Sequence, residues 1–166
     1  MRHMNWFRGS ALFLAGTLVG IFIMQPSAAP QEKSAGLRLN HIGLYVKDMD
    51  ESRNFYTKKM GFREAFSFKD GAGNPIVYLQ INRDTFLEMT PATADHPAGF
   101  SHAGIWADDV NATVTALQKQ GVKVEDVHVG GTKAPLANLF DPNGARLELL
   151  AYPRESLQRK AIDAWK

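Results

Sequence analysis

The chain of 166 residues has no cysteine. That excludes disulfides, thiolate zinc sites and cysteine-linked lipid anchors. It also lacks a basic excess where a folded domain would carry one. Lys and Arg total 19 against 17 acids, but Arg2 and Arg8 fall within residues 1–29, a stretch without any acid. Beyond residue 29 the two signs balance. No basic stripe is left to neutralise phosphates, so nucleic acid is not an expected partner. A long hydrophobic run is missing too. The apolar stretch Ala11–Met24 has 14 residues, short of the roughly 20 that a membrane-spanning helix needs.

What is present at the N-terminus has the pattern of a targeting segment. Arg2, His3 and Arg8 precede that apolar stretch, and Pro26-Ser27-Ala28-Ala29 follow it. A basic start, a 7–15-residue apolar core and small residues make an export signal. Residues 1–29 read as a signal peptide, or as an uncleaved N-terminal anchor with residues 11–24 in the membrane. The expected location is periplasmic or secreted, or tethered to the membrane. Residues 30–36 read as a polar tether.

From residue 37 the chain says the same thing twice. Asn40-His41-Ile42-Gly43-Leu44-Tyr45-Val46 returns as Ser101-His102-Ala103-Gly104-Ile105-Trp106-Ala107. Each copy ends on an apolar strand with one carboxylate, Phe86-Leu87-Glu88-Met89 and Arg146-Leu147-Glu148-Leu149. The two His lie 61 residues apart and the two Glu 60. Apolar alternation, turn residues and helix caps predict β-α-β-β-β in each copy. In the first, Asp48 or Asp50 caps a helix that runs to about Lys59 and ends at Gly61. In the second, Asp108 or Asp109 caps a helix bearing Val110, Val114 and Leu117, and Val122–Val129 reads as strand. The modules span residues 37–90 and 99–151. A C-terminal helix is expected within residues 152–166, at about Glu155–Trp165. The fold class is therefore α+β, with two tandem modules forming a cleft.

Two imidazoles and two carboxylates at matching places are a ligand set for one divalent ion. Their donor chemistry suits Ni, Zn, Co, Mn or Fe(II). A carboxylate between Leu87 and Met89, or between Leu147 and Leu149, is unfavourable to bury alone, and a bound cation relieves that. The metal ligands read from the repeat are His41, Glu88, His102 and Glu148. His96 and His128 have no counterparts and read as surface or outer residues. Glycine at positions 43 and 104 is expected to leave room beside each imidazole.

These residues resemble the vicinal oxygen chelate superfamily, which includes glyoxalase I, methylmalonyl-CoA epimerase, extradiol dioxygenases and bleomycin-resistance proteins. The resemblance covers about residues 37–151. It is carried by Leu39-Asn40-His41-Ile42-Gly43, by Asn54-Phe55-Tyr56 through Met60-Gly61-Phe62, and by Phe140-Asp141-Pro142-Asn143-Gly144 leading to Glu148. It is nearest to glyoxalase I-like proteins, whose four metal ligands match His41, Glu88, His102 and Glu148. It implies a metal-dependent lyase or isomerase that takes a proton beside a metal-held carbonyl or hydroxyl of a small molecule. Glu148 or Glu88 would be the catalytic base. Tyr45, Trp106, Phe86, Asn138 and Arg146 become candidate substrate contacts by strand parity and family position. Homodimers are common in the superfamily, so a homodimer is expected.

Two positions depart from bacterial glyoxalase I. Tyr45 replaces an Arg and Ala92 an Asn, both glutathione contacts there, which puts glutathione in doubt as the substrate. Other members suggest two alternatives. One is a metal-independent drug-binding protein of the bleomycin-resistance type, using Tyr45 and Trp106. The other is an Fe(II) extradiol-type dioxygenase using His41, His102 and Glu148, although Asn138 stands where those enzymes have a Tyr.

Overall fold

The computed structural model describes residues 36–166; the expected leader, and the tether up to residue 35, lie outside the described residues. The described chain forms β1 (Arg38–Val46), α1 (Met49–Asn54), β2 (Arg63–Lys69), β3 (Pro75–Asn82) and β4 (Thr85–Pro91). The second copy forms β5 (Gly99–Trp106), α2 (Val110–Lys119), β6 (His128–Val129), β7 (Pro135–Phe140) and β8 (Arg146–Leu150), and α3 (Leu157–Asp163) follows. All eight strands join one sheet in the order β2-β3-β4-β1-β5-β8-β7-β6. This is the α+β architecture of two β-α-β-β-β modules, fused edge to edge through antiparallel β1 and β5. Among the described residues no helix is long and apolar enough to cross a membrane.

Local chemistry sets the helix boundaries alike in both copies. Asp48 and Asp109 are extended and accept from the N–H of Glu51 and Ala112 respectively, as helix-capping aspartates do. Gly61 and Gly121 follow the helices at φ +77° and +83°, a conformation that glycine adopts without strain. The first helix does not stay α-helical to Lys59. Phe55–Lys59 form a wider π-helical turn, closed by the Met60 N–H donating to the Phe55 carbonyl at 3.1 Å.

Strand alternation divides the apolar residues between two faces. On one face Leu87 and Met89 pack with Val46, Val77 and Leu79 beneath Met49 and Tyr56. In the second module Leu149, Ala137 and Leu139 pack with Val110 and Val114 of α2. Each fully buried Val, Leu or Met side chain among them contributes roughly 1.5–3 kcal/mol. Their strand neighbours Phe86, Glu88, Glu148 and Leu150 must then face the opposite, inner side.

Two expected elements differ. Val122–Val129 is not a continuous strand: only His128–Val129 pair with β7, with one isolated bridge from Val124 to Leu139. Val122, Val124 and Val127 pack instead against the α2 core. The last helix is also shorter than Glu155–Trp165. Ser156 caps it by accepting from the Arg159 N–H, and its final turn stops at Asp163. Ala161 and Ile162 pack on the inner face with Tyr78, Phe86, Leu150 and Tyr152. Arg63 ties the helix down by donating to the Ala161 and Ala164 carbonyls at 3.2 Å.

Candidate metal centre

Strand register places the four expected ligands side by side. Across the central strands Glu88 on β4 lies beside Gly43 on β1, and Gly43 beside His102 on β5. In the mirror arrangement His41 on β1 lies beside Gly104 on β5, and Gly104 beside Glu148 on β8. The glycines do more than leave room within their own copy. A Cβ at Gly43 would overlap the His102 ring, and one at Gly104 the His41 ring. Each glycine makes space for the other module's imidazole.

His41, Glu88, His102 and Glu148 are the metal-capable group found among the described residues, and one donor atom from each lies within 4.8 Å of the others. The two Nε2 atoms are 2.9 Å apart. His41 Nε2 is 3.5 Å from Glu88 Oε2 and 3.4 Å from Glu148 Oε2. His102 Nε2 is 3.5 Å and 3.8 Å from the same atoms. The imidazoles are buried, while the carboxylates keep 12% and 13% of their side-chain surface exposed, enough to be reached from outside.

The fit to an ion follows from these distances. Two nitrogens at about 2.0–2.1 Å from one ion and at right angles to each other stand about 2.9 Å apart. The donor set of two nitrogens and two oxygens suits a borderline divalent metal. All four come from one chain.

Outer partners orient the rings. The Asn40 amide donates through Nδ2 to the Asp84 carbonyl at 2.8 Å, so its oxygen faces His41 Nδ1 at 3.2 Å. That oxygen also accepts from the Tyr152 hydroxyl. His41 Nδ1 must therefore donate, which leaves the Nε2 lone pair facing the centre. His102 Nδ1 lies 3.0 Å from Ser101 Oγ and 2.7 Å from Arg146 Nη2. Asn40 and Ser101 hold equivalent places in the two copies, a match that the repeat already displays.

Glu88 accepts from the Tyr78 hydroxyl. Burial alone would raise its carboxyl pKa. Hydrogen bonding to His102, the nearby His41 and His102 imidazoles, and the Tyr78 hydroxyl together outweigh burial and hold it down at about 2. Burial first, then the Glu88 and Glu148 charges, push the Tyr78 phenol well above 10, so it stays protonated as a donor. Tyr78 is absent from the residues that the repeat singles out. Its signal is the hairpin register, which sets it directly opposite Glu88. Tyr152 lies 112 residues from Asn40 and carries no local signal.

A cleft of about 260 Å³ opens on Glu88 and Glu148 between the β2–β3 turn and residues 131–136. Of the candidate substrate contacts, Tyr45 and Arg146 line a second cleft. Asn138 is engaged by Glu125, with its amide donating at 2.8 Å. Phe86 is fully buried and supports the site from within the inner cluster. Trp106 lies at the far end of the β1–β5 pair from Tyr45, under the Arg38 guanidinium and against Tyr152. Tyr45 and Trp106 therefore do not face each other across one pocket. His96 stacks on Tyr45 at 5.0 Å, and His128 is exposed.

The chain belongs to the Glyoxalase/Bleomycin resistance protein/Dioxygenase superfamily, whose family model matches residues 38–149. Among curated relatives it is 29% identical over 150 residues to glyoxalase I of Saccharomyces cerevisiae, covering 72% of this chain and 46% of that protein. It is 33% identical over 123 residues to a probable chloroplastic lactoylglutathione lyase of Arabidopsis thaliana, covering 68% and 35%. The chain thus spans less than half the length of these two relatives. Methylmalonyl-CoA epimerase of Streptomyces coelicolor shares the fold, with a TM-score of 0.63 at 22% identity over 72% of this chain and 96% of that one.

Proposed function

We propose that this protein is a metal-dependent lyase or isomerase that moves a proton next to a carbonyl or hydroxyl of a small molecule. The observation that carries this reading is the convergence of His41, Glu88, His102 and Glu148 within one chain, beside a cleft open to both carboxylates. Relatives named glyoxalase I and lactoylglutathione lyase support the reaction class. Glutathione itself is the less supported substrate, because Tyr45 and Ala92 replace polar contacts expected for it.

The site's own residues divide the work. His41 is held by Asn40 with Nε2 inward, and His102 meets it from the other module. A bound divalent ion would supply Lewis-acid stabilisation of charge developing on a substrate oxygen. Tyr78 holds Glu88 through a hydrogen bond, so that carboxylate is the more fixed of the two. Among the described residues no hydroxyl donates to Glu148, which faces the same cleft. Glu148 is the proton acceptor in this reading, and Glu88 the anchored ligand. Phe68, Ile76 and Leu136 give this cleft aromatic and aliphatic walls.

The test is incorporation of solvent deuterium beside the carbonyl of trial substrates, starting with the methylglyoxal–glutathione adduct and methylmalonyl-CoA. Metal-loaded wild type should exchange the proton of at least one trial substrate, and Glu148→Gln should lose the exchange. Equal exchange by both proteins would remove the role of Glu148. The homodimer expected from the resemblance belongs to the same proposal, and sedimentation of the purified protein tests it. Export rests on residues 1–29 alone, and is tested by sequencing the N-terminus of the protein recovered from the cell exterior.

A further inference from the structure

Arg146 is a partly buried cation with no acidic partner. Among the described residues no carboxylate oxygen lies within 4.0 Å of its guanidinium. Its contacts are Asn138 Oδ1 at 3.5 Å, Ser101 Oγ at 3.4 Å and His102 Nδ1 at 2.7 Å. All three are neutral acceptors when His102 is neutral. A guanidinium withdrawn from water without a counter-ion is unfavourable. The contact with His102 is also one that a metal would displace. With Arg146 donating to Nδ1, the His102 proton sits on Nε2, pointing at the metal position. Ligation needs the other tautomer, with Nδ1–H donating to Ser101 Oγ, and so leaves Arg146 in need of another acceptor.

The space around Arg146 has the shape for one. A cleft of about 440 Å³ is bounded by Tyr45, His96, Phe100, Ser101, Phe140 and Arg146. Phe100 and Phe140 are 58% and 57% exposed, two large apolar side chains left open to water at the same cleft. Exposed apolar surface gathered around a polar floor is a common mark of ligand binding. Arg146 shares the inner face of β8 with Glu148, two residues along, about 7 Å away at strand spacing. Two carboxylates balance a divalent ion, and Arg146 remains the uncompensated charge of the site.

The geometry points to a carboxylate-binding subsite at Arg146, so that the substrate is a small carbonyl or hydroxy compound with a carboxylate on a short apolar or aromatic spacer. This rests on the proposed proton-transfer function for the reacting end, while the subsite itself stands on Arg146 and its cleft. Arg146 would grip the carboxylate, Ser101 would add a donor once His102 turns, and Phe100 and Phe140 would cover the spacer.

The test uses full-length protein reconstituted with zinc, the state in which His102 no longer takes up Arg146, with 3-phenylpropionate and its uncharged amide as probes in titration calorimetry. The carboxylate should bind at least about tenfold more tightly than the amide, as expected for a charge-assisted pair. Arg146→Gln should abolish that preference. Phe100→Glu, at an exposed position that folding tolerates, places a like charge at the rim and should weaken the carboxylate by a similar factor. Equal affinity of the two probes in wild type, no binding of either, or an unchanged preference in the folded variants overturns the subsite. Metal content of the same zinc-reconstituted wild-type protein separates the two ideas. Metal without carboxylate preference sinks this inference alone; preference without metal sinks the proposed function and leaves the Arg146 subsite standing.

Discussion

The His41 imidazole fills the space that a side chain at Gly104 would need, although the two residues belong to different modules. The reciprocal pair is His102 over Gly43. The fusion of β1 to β5 is thus what brings the two histidines together, because each module supplies the gap into which the other's imidazole fits.

Gly104→Ala tests this directly. The added methyl must displace His41, and forcing atoms into a packed site costs about 1–3 kcal/mol. We expect a folded protein with that loss in urea unfolding and a metal affinity lowered by at least about tenfold in chelator competition. An unchanged affinity would mean that the His41 ring has another place to go.

Tyr78→Phe removes the one hydroxyl that satisfies Glu88 and leaves the ring packed against Phe66. The metal-free protein should lose about 1–3 kcal/mol, the penalty for a buried acceptor left short of a donor. Denaturant midpoints of the wild type, Tyr78→Phe, Glu88→Gln and the double variant measure it. Additive losses would show that the two side chains do not interact.

Glu148→Gln and Glu88→Gln separate base from anchor. Both should lower metal affinity. At saturating metal, Glu148→Gln should lose exchange activity by about 10²–10⁴-fold, the usual worth of a positioned base. Glu88→Gln should lose less. The reverse order would exchange the two roles.

The module plan and the pairing of His41 and Glu88 with His102 and Glu148, which the fold gathers at one place, are legible in the amino-acid sequence, because the repeat states them twice at matching spacing. Which face each ligand points to follows from strand parity, as Leu87 and Met89 turning toward α1 confirm for Glu88. Three features are not legible, each for a physical reason. Val122–Val129 has strand composition, but its valines serve the α2 core rather than a ladder. The role of Gly43 and Gly104 depends on the β1–β5 register, which pairs residues far apart in the chain and which no local pattern encodes. Phe86 shares parity with Glu88, yet Ile162 and the rest of the C-terminal segment cover that end of the inner face; parity sets a side chain's direction and not what lies above it.

That covering segment is itself part of the core. Ile162→Ala should destabilise the fold by about 2–5 kcal/mol, as truncation of a buried aliphatic does. The check is chemical denaturation, and a loss below about 0.5 kcal/mol, the level of ordinary surface substitutions, would mean that α3 is only loosely docked.

The most direct test of the account is the metal content of purified full-length protein, measured by elemental analysis beside a His41→Ala/Glu148→Gln double variant. One divalent ion per chain in the wild type, and none in the folded variant, is the predicted result. Absence of bound metal in the wild type, even after reconstitution with nickel, zinc, cobalt, manganese and ferrous iron, would contradict it.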